Sequence, residues 1–441
     1  MQVNTISNTI ISTLGNPSSL IPLAVKDTIN SAGITYFSYD AGGKLEGKDR
    51  LIDEFGTQAI WLFGLPTFKK IADKTFYKYK KLNPNVDVRV VNSKEHVEFA
   101  KSVLKNYSPE SKETLNSIET AVNRLPEFKK LFYSKFALAT ILTFASYFAL
   151  TKYKQKITEK AVIKDYMKQK ANENFLNEKN KDSKTFGNFE EIAFSGKKKT
   201  KPAFKGLEAF MFNPVKNLMI IDAGITTERL HKSRNKYEFA EYAIKEGSLL
   251  FFMYVAGGWI QKGLQNVSAK LFKTPIDMDL RFINSEQLKK SMGSMKMFKE
   301  VKAFSKLGSQ KDVLDFIANN QKSIIVEGGK ISDLIGQFKD GNINPAKYID
   351  TNELKKMAKN LETFIKRCAK SGLSIEEFMK KARNHKIAAI LANIGICCGA
   401  LGYVMPKTMY EYRKKFSGTK EFHVANQVRE KLAQSFSSNK I

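Results

Sequence analysis

Seven residues early in the chain recur almost unchanged near its middle. Asp87-Val88-Arg89-Val90-Val91-Asn92-Ser93 lies over Asp279-Leu280-Arg281-Phe282-Ile283-Asn284-Ser285, with four identities and three exchanges of one apolar residue for another. Three further blocks recur in the same order. Asp40-Ala41-Gly42 matches Asp222-Ala223-Gly224, each after an apolar stretch and before a basic, helix-like segment holding Arg50 or Arg229. Broken apolar runs follow, entered through Glu54-Phe55-Gly56-Thr57 and Glu246-Gly247-Ser248 and left through Lys70 and Lys262. Last, Glu127-Phe128-Lys129-Lys130 with Lys135 matches Glu377-Phe378, Lys380-Lys381 and Lys386, each leading into a long apolar run. The shared order of the blocks, more than any one block, points to a tandem duplication.

The chain then divides into an N-terminal segment (1–30), repeat 1 (31–156), a charged linker (157–212), repeat 2 (213–416) and a polar C-terminal tail (417–441) that reads as an exposed helix with a frayed end. Repeat 2 carries extra sequence over about 295–373, which reads as amphipathic helices with turns at Gly328-Gly329 and Asp340-Gly341. Apolar and polar residues alternate through Val86–Val90 and Met278–Phe282, the pattern of a half-buried strand. That pattern puts Asp87 with Arg89, and Asp279 with Arg281, on one face as ion pairs. Asn92 with Glu95, and Asn284 with Gln287, have the spacing of an N-cap and its N3 partner, so each strand is expected to pass directly into a helix. The two strands are placed to pair across a pseudo-twofold axis. The repeated Asp40 and Asp222 read as a helix start or turn; the alternative is that both converge on a cation or substrate.

Four apolar runs set the environment. Ile387–Met405 is uncharged for 19 residues, about 28 Å as a helix, close to the roughly 30 Å hydrocarbon core of a bilayer. Phe136–Thr151 is shorter, but Lys129, Lys130 and Lys135 precede it and Lys152, Lys154 and Lys156 follow, with stems long enough to snorkel to headgroups. The runs 57–68 and 247–260 are interrupted by Gly64 and Pro66 and by Gly257-Gly258, and suit a re-entrant, interfacial or tilted segment. Gly395 and Gly399, extended by Ala388 and Ala392, give the last run a small-residue face for close helix packing. Trp61 and Trp259 both lie in the broken runs. A core helix of a soluble domain is the competing reading of all four.

With 73 basic and 44 acidic residues the net charge is +29, which calls for an anionic neighbour. Lysine far outnumbers arginine, the opposite of a surface that reads bases, so anionic lipid headgroups rank above nucleic acid. Lys197-Lys198-Lys199, near the end of the linker, is a candidate contact with an anionic surface. The cysteines, Cys368, Cys397 and Cys398, are too few for a disulfide framework. No cleavable signal peptide is evident.

The chemistry of a catalyst is missing from the motifs. None of His96, His231, His385 and His423 has metal-ligand spacing from another His or a Cys. There is no nucleophile elbow, Walker loop or dinucleotide fingerprint. The expectation is therefore a mainly α, duplicated, helical membrane protein with a short strand-to-helix element in each repeat, not an enzyme, with no cofactor or metal. It is expected to sit in a membrane as a multi-pass or re-entrant protein that binds anionic lipid, a protein partner or a second copy of itself. Transport through a site at the repeat interface is the second reading and a soluble basic nucleic-acid binder the third.

Overall fold

The computed structural model describes residues 10–16, 19–104, 109–176, 211–418 and 422–438. The fold is mainly helical, and no strand occurs among the described residues. The expected strand-to-helix elements are corrected accordingly. Asp87 and Asp279 are instead N-caps of the short helices Val88–Asn92 and Leu280–Ile283, each carboxylate accepting the backbone N–H of the arginine two residues on. A burial pattern such as Val88, Val90 and Val91 fits one helical turn as well as a strand, and the cap decides between them. The caps of the following helices also move by one residue. Ser93 and Ser285 accept N–H bonds from His96 and Leu288, while Asn92 ends the first short helix, exposed, and Asn284 is the C-cap of the second. A serine hydroxyl at this position reaches the N3 amide directly, leaving the preceding Asn free to close the earlier turn.

Asp87 grips Arg89 with both oxygens, at 3.1 and 2.7 Å, and Asp279 holds Arg281 at 3.2 and 3.0 Å. Each aspartate is thus cap and ion-pair partner at once. Asp279→Ala is expected to lower stability by about 1–2 kcal/mol, measured by urea or thermal melting, with Asp279→Asn losing less because its amide oxygen still caps the turn.

The Asp-Ala-Gly blocks are likewise not helix starts. Asp40 is exposed in the interior of the helix Ile21–Ala59, and Asp222 is buried within Pro214–His231. The nearby break is at Gly43, whose φ of 76° and ψ of −170° kink the first helix in a conformation that only glycine takes without strain.

Wider π-helical turns interrupt three of the apolar runs, at Ile60–Gly64, Phe251–Ala256 and Ala400–Val404. Two of them lead into Pro66 and Pro406, residues that lack an N–H and crowd the carbonyl four residues back, so the local change of hydrogen-bond register accommodates them without ending the helix.

The chain forms two compact units, each assembled from separated stretches. Unit 1 comprises residues 1–29, 58–145 and 249–401. Its apolar core joins Phe99 and Val103 of the helix Lys94–Leu104 to Phe282, Val301, Phe304, Leu314, Ile325, Leu361, Phe364 and Phe378. The stretch 295–373 supplies four helices to this core, the last three opened by a side-chain cap, at Ser309, Ser323 and Asp350. Ser309 forms a capping box with Asp312, and Asp350 caps Thr351–Lys370, whose buried residues Leu354, Met357, Ala358, Leu361, Phe364 and Cys368 follow helical spacing.

Unit 2 comprises residues 30–57, 146–248 and 402–441. Here the backbones of two helices touch: a side-chain carbon on Gly33 would lie 2.0 Å from the carbonyl oxygen of Gly402. The C-terminal helix His423–Ser438 is not simply exposed, because Val424, Ala425 and the preceding Phe422 pack with Val162 in a small apolar cluster, and Arg429 pairs with Asp165 at 2.8 Å.

Candidate functional site

The two long apolar runs are exposed where a core helix would be buried. Leu125–Ala171 and Ile375–Ser417 contain helix long and apolar enough to cross a membrane, with only 17% and 22% of their most apolar windows buried. Ile141 is 63% exposed and Leu391 and Ile396 about half exposed, although each lies in an uncharged stretch. Runs 57–68 and 247–260, expected as further membrane segments, do not form helices of that length and hydropathy; their π turns, glycines and flanking charges break the apolar stretch. Gly395 and Gly399 face open space, so the small-residue face packs against nothing among the described residues. Lys197, Lys198 and Lys199 lie outside the described residues.

Within unit 1, the start of the helix Ile21–Ala59 brings ionisable groups against these apolar helices. Lys26 and Asp27 are both buried, at 6% and 8% exposure. The Asp27 carboxylate accepts from the Trp61 indole N–H at 3.0 Å, and Trp61 is itself buried in the first broken run. Gln58 donates to the Thr28 hydroxyl at 2.5 Å and to the Ala24 carbonyl at 3.3 Å. Lys26 instead reaches the second broken run, where a side-chain carbon on Gly257 would stand 3.0 Å from its Nζ and 3.7 Å from Asn393 Oδ1. Asn393 belongs to the run 387–405 and donates to the Gly257 carbonyl at 3.0 Å and to Gln261 at 3.4 Å. Trp259, two residues beyond Gly257, is exposed against the ring edge of Phe251.

Unit 2 holds a buried ionic core that the sequence did not announce. Arg413 forks between Glu46, at 2.7 and 2.6 Å, and Glu241, at 2.5 and 2.8 Å. Tyr410 donates to Glu46, and Arg50 pairs with Glu241 at 2.9 Å while lying over the Tyr242 ring. A second group joins Arg229 to Asp53 and Glu246, Lys154 to Asp53, and Lys245 to Glu54 and Glu246. Burial pushes the Asp53 carboxyl up, but the charges of Arg229, Lys154, Lys245 and Arg50 outweigh it and hold the group far below the usual carboxylate range. Glu238 is desolvated too, yet Arg234 draws it down to about 2. At Glu228 the balance is reversed: burial raises its carboxyl and outweighs the hydrogen bond from Thr151, at 3.3 Å, and the charges of Arg229 and Lys154.

The ionic side chains follow helical spacing. Glu46, Asp49, Arg50, Asp53 and Glu54 line one face of their helix, and Glu238, Glu241, Tyr242, Lys245 and Glu246 line another. The two sets match position by position at an offset of 192 (238 − 46), the offset that separates Asp279 from Asp87 (279 − 87).

A third cluster, in unit 1, surrounds His96. Its ring stacks on Tyr348 at 4.6 Å, and Arg89 covers the Tyr348 ring at 4.3 Å. Nε2 is 3.3 Å from the Ile349 carbonyl, which needs a donor, and Nδ1 is 3.0 Å from both the Gln310 amide nitrogen and the Ser93 hydroxyl. Burial pushes the imidazole down, against the smaller opposing pull of Ile349, Asp87 and Glu95. A depressed folded-state value means that His96 favours the fold fully above the unfolded value of about 6.5 and loses that contribution as pH falls through the lower folded value. Melting temperature is therefore expected to drop between pH 7 and pH 5, with a smaller drop in His96→Gln; equal slopes in the two proteins would exclude His96 as a source.

No protein-family model, no curated protein and no solved structure matches this chain.

Proposed function

We propose that the chain is a non-enzymatic integral membrane protein whose apolar helices are covered by lipid and whose lysines meet anionic headgroups. The observation that carries this reading is the exposure of the runs 136–151 and 387–405. In water each exposed apolar residue of such a run would lack a cover, whereas hydrocarbon supplies one. Lys129, Lys130, Lys152 and Lys156 flank the first run and Arg383 and Lys407 the second, where basic side chains reach headgroups, whereas Lys154 is buried in the ionic core and Lys386 is buried against the Ile276 carbonyl.

The reading includes a duplication. It draws support from the matched caps at Asp87 and Asp279, the π turns Ile60–Gly64 and Phe251–Ala256, and the ionic faces at one common offset. The broken runs then enter the bilayer as re-entrant or short segments beside the two longer helices. A second reading, passage of a polar solute between the repeats, is favoured by Lys26 and Asp27, which touch the second and the first broken run respectively.

Membrane flotation followed by high-salt and alkaline carbonate washes tests the membrane reading. Electrostatic attachment is screened by salt, whereas apolar insertion is not. Retention through both washes is expected; release by salt as a monodisperse species would instead make the apolar runs surfaces for a protein or nucleic-acid partner.

A further inference from the structure

We propose that the helices through the two broken runs cross the bilayer completely, side by side and in the same direction, each turning an uncharged face to lipid and a lysine at either end to the headgroups. The proposal deepens the membrane reading above and rests on it. Charges lower the mean hydropathy of these helices, but every one of those charges turns inward. Asp53 and Glu54, the charged residues of 51–68, are buried, and so are Glu241, Lys245 and Glu246, those of 239–261. The outward surface is therefore uncharged for about 27 and 34 Å of helix, against roughly 30 Å of hydrocarbon. Exposed residues follow one another four apart along it, from Leu51 through Phe55 and Ala59 to Phe63, and from Phe251 through Val255 to Trp259.

Lysines mark both ends of each surface at matched positions. Lys44 and Lys70 are exposed, as are Lys236 and Lys262, and each pair is 26 residues apart (70 − 44 and 262 − 236). That is about 39 Å of helix, close to the roughly 40–45 Å of a bilayer with its headgroups. A re-entrant segment would instead bring both lysines back to one side. The direction follows from the ion pairs between the two helices. Arg50 meets Glu241 at 2.9 Å, and Glu54 meets Lys245 at 2.5 Å, four residues further along both helices, so the two run parallel. Their charges neutralise one another away from the outward face, as ionisable groups at membrane depth must.

The test reads sidedness. Lys44→Cys, Lys70→Cys, Lys236→Cys and Lys262→Cys are made one at a time in the full chain, with Cys368, Cys397 and Cys398 replaced by alanine, and expressed in bacteria. All four exchanges fall on exposed lysines, so the buried contacts stay intact. A membrane-impermeant maleimide is then applied to spheroplasts and, separately, to inverted membrane vesicles. Lys44→Cys and Lys236→Cys are expected to react in one preparation, and Lys70→Cys and Lys262→Cys in the other. Reaction of Lys44→Cys with Lys70→Cys, or of Lys236→Cys with Lys262→Cys, in the same preparation makes that segment re-entrant and overturns the proposal. Equal reaction of any variant in both preparations, or of Lys44→Cys and Lys236→Cys in opposite ones, overturns it too. Carbonate washing of the same membranes separates the two claims: a retained chain with both ends of a segment on one side sinks the crossing alone, whereas release of the wild type sinks both.

Discussion

Replacing Arg413 by methionine is expected to lower stability by about 3–5 kcal/mol, the cost of leaving buried charges without their partner. Its guanidinium is almost fully buried and meets both Glu46 and Glu241, which are themselves buried. Arg50 stands beside the same two carboxylates but pairs at hydrogen-bond distance only with Glu241, so it cannot take over both forks. Arg413→Lys should be intermediate, because an ammonium retains the charge but not the planar pair of two-pronged contacts. Removing one carboxylate with the guanidinium, as in Arg413→Met with Glu46→Gln, should cost less than the single change, since Glu241 keeps Arg50 as its partner and no uncompensated carboxylate remains. Thermal melting of the detergent-solubilised chain measures all three. If Arg413→Met melts like the wild type, the ionic core contributes nothing to unit 2.

The other large effect lies in the apolar runs. Leu391→Lys is expected to cost up to about 2.5–3.5 kcal/mol of membrane insertion, the range for a lysine at the centre of a spanning helix. The change is informative because Leu391 is half exposed. In a water-exposed position a Leu-to-Lys exchange stays within about ±0.5 kcal/mol and improves solubility. Ile141→Lys, in the other run, makes the same distinction. Comparison of carbonate-resistant and washed fractions for both variants gives the readout.

These effects mark what could and could not be read from residues alone. Helix content and the two long apolar runs were legible, because 16 to 19 uncharged residues between lysine clusters leave few options. The turn at Asp87 and Asp279 was not. Five residues of alternation fit a strand or one helical turn, and the deciding contact, a carboxylate accepting the N–H two residues on, is a geometric detail. The ionic core was hidden for a different reason: charges at Glu46, Asp49, Arg50, Asp53 and Glu54 read as a solvated helix face, because periodicity rules rank only apolar residues as core. A signal did exist in the match of that face to Glu238, Glu241, Lys245 and Glu246 at the offset of the strongest repeated block. Lys26 and Asp27 had no signal of their own, since the segment holding them is neither a long apolar run nor part of a recurring block.

The central claim is that lipid, rather than water or protein, covers the two long apolar helices. Spin labels placed at Ile141, Leu391 and Ile396, one per variant in reconstituted membranes, test it by comparing collisions with oxygen and with a water-soluble nickel complex. Oxygen partitions into hydrocarbon and the complex does not. High oxygen and low nickel accessibility at all three positions is the expected result; high nickel accessibility would place these helices in water and contradict the account.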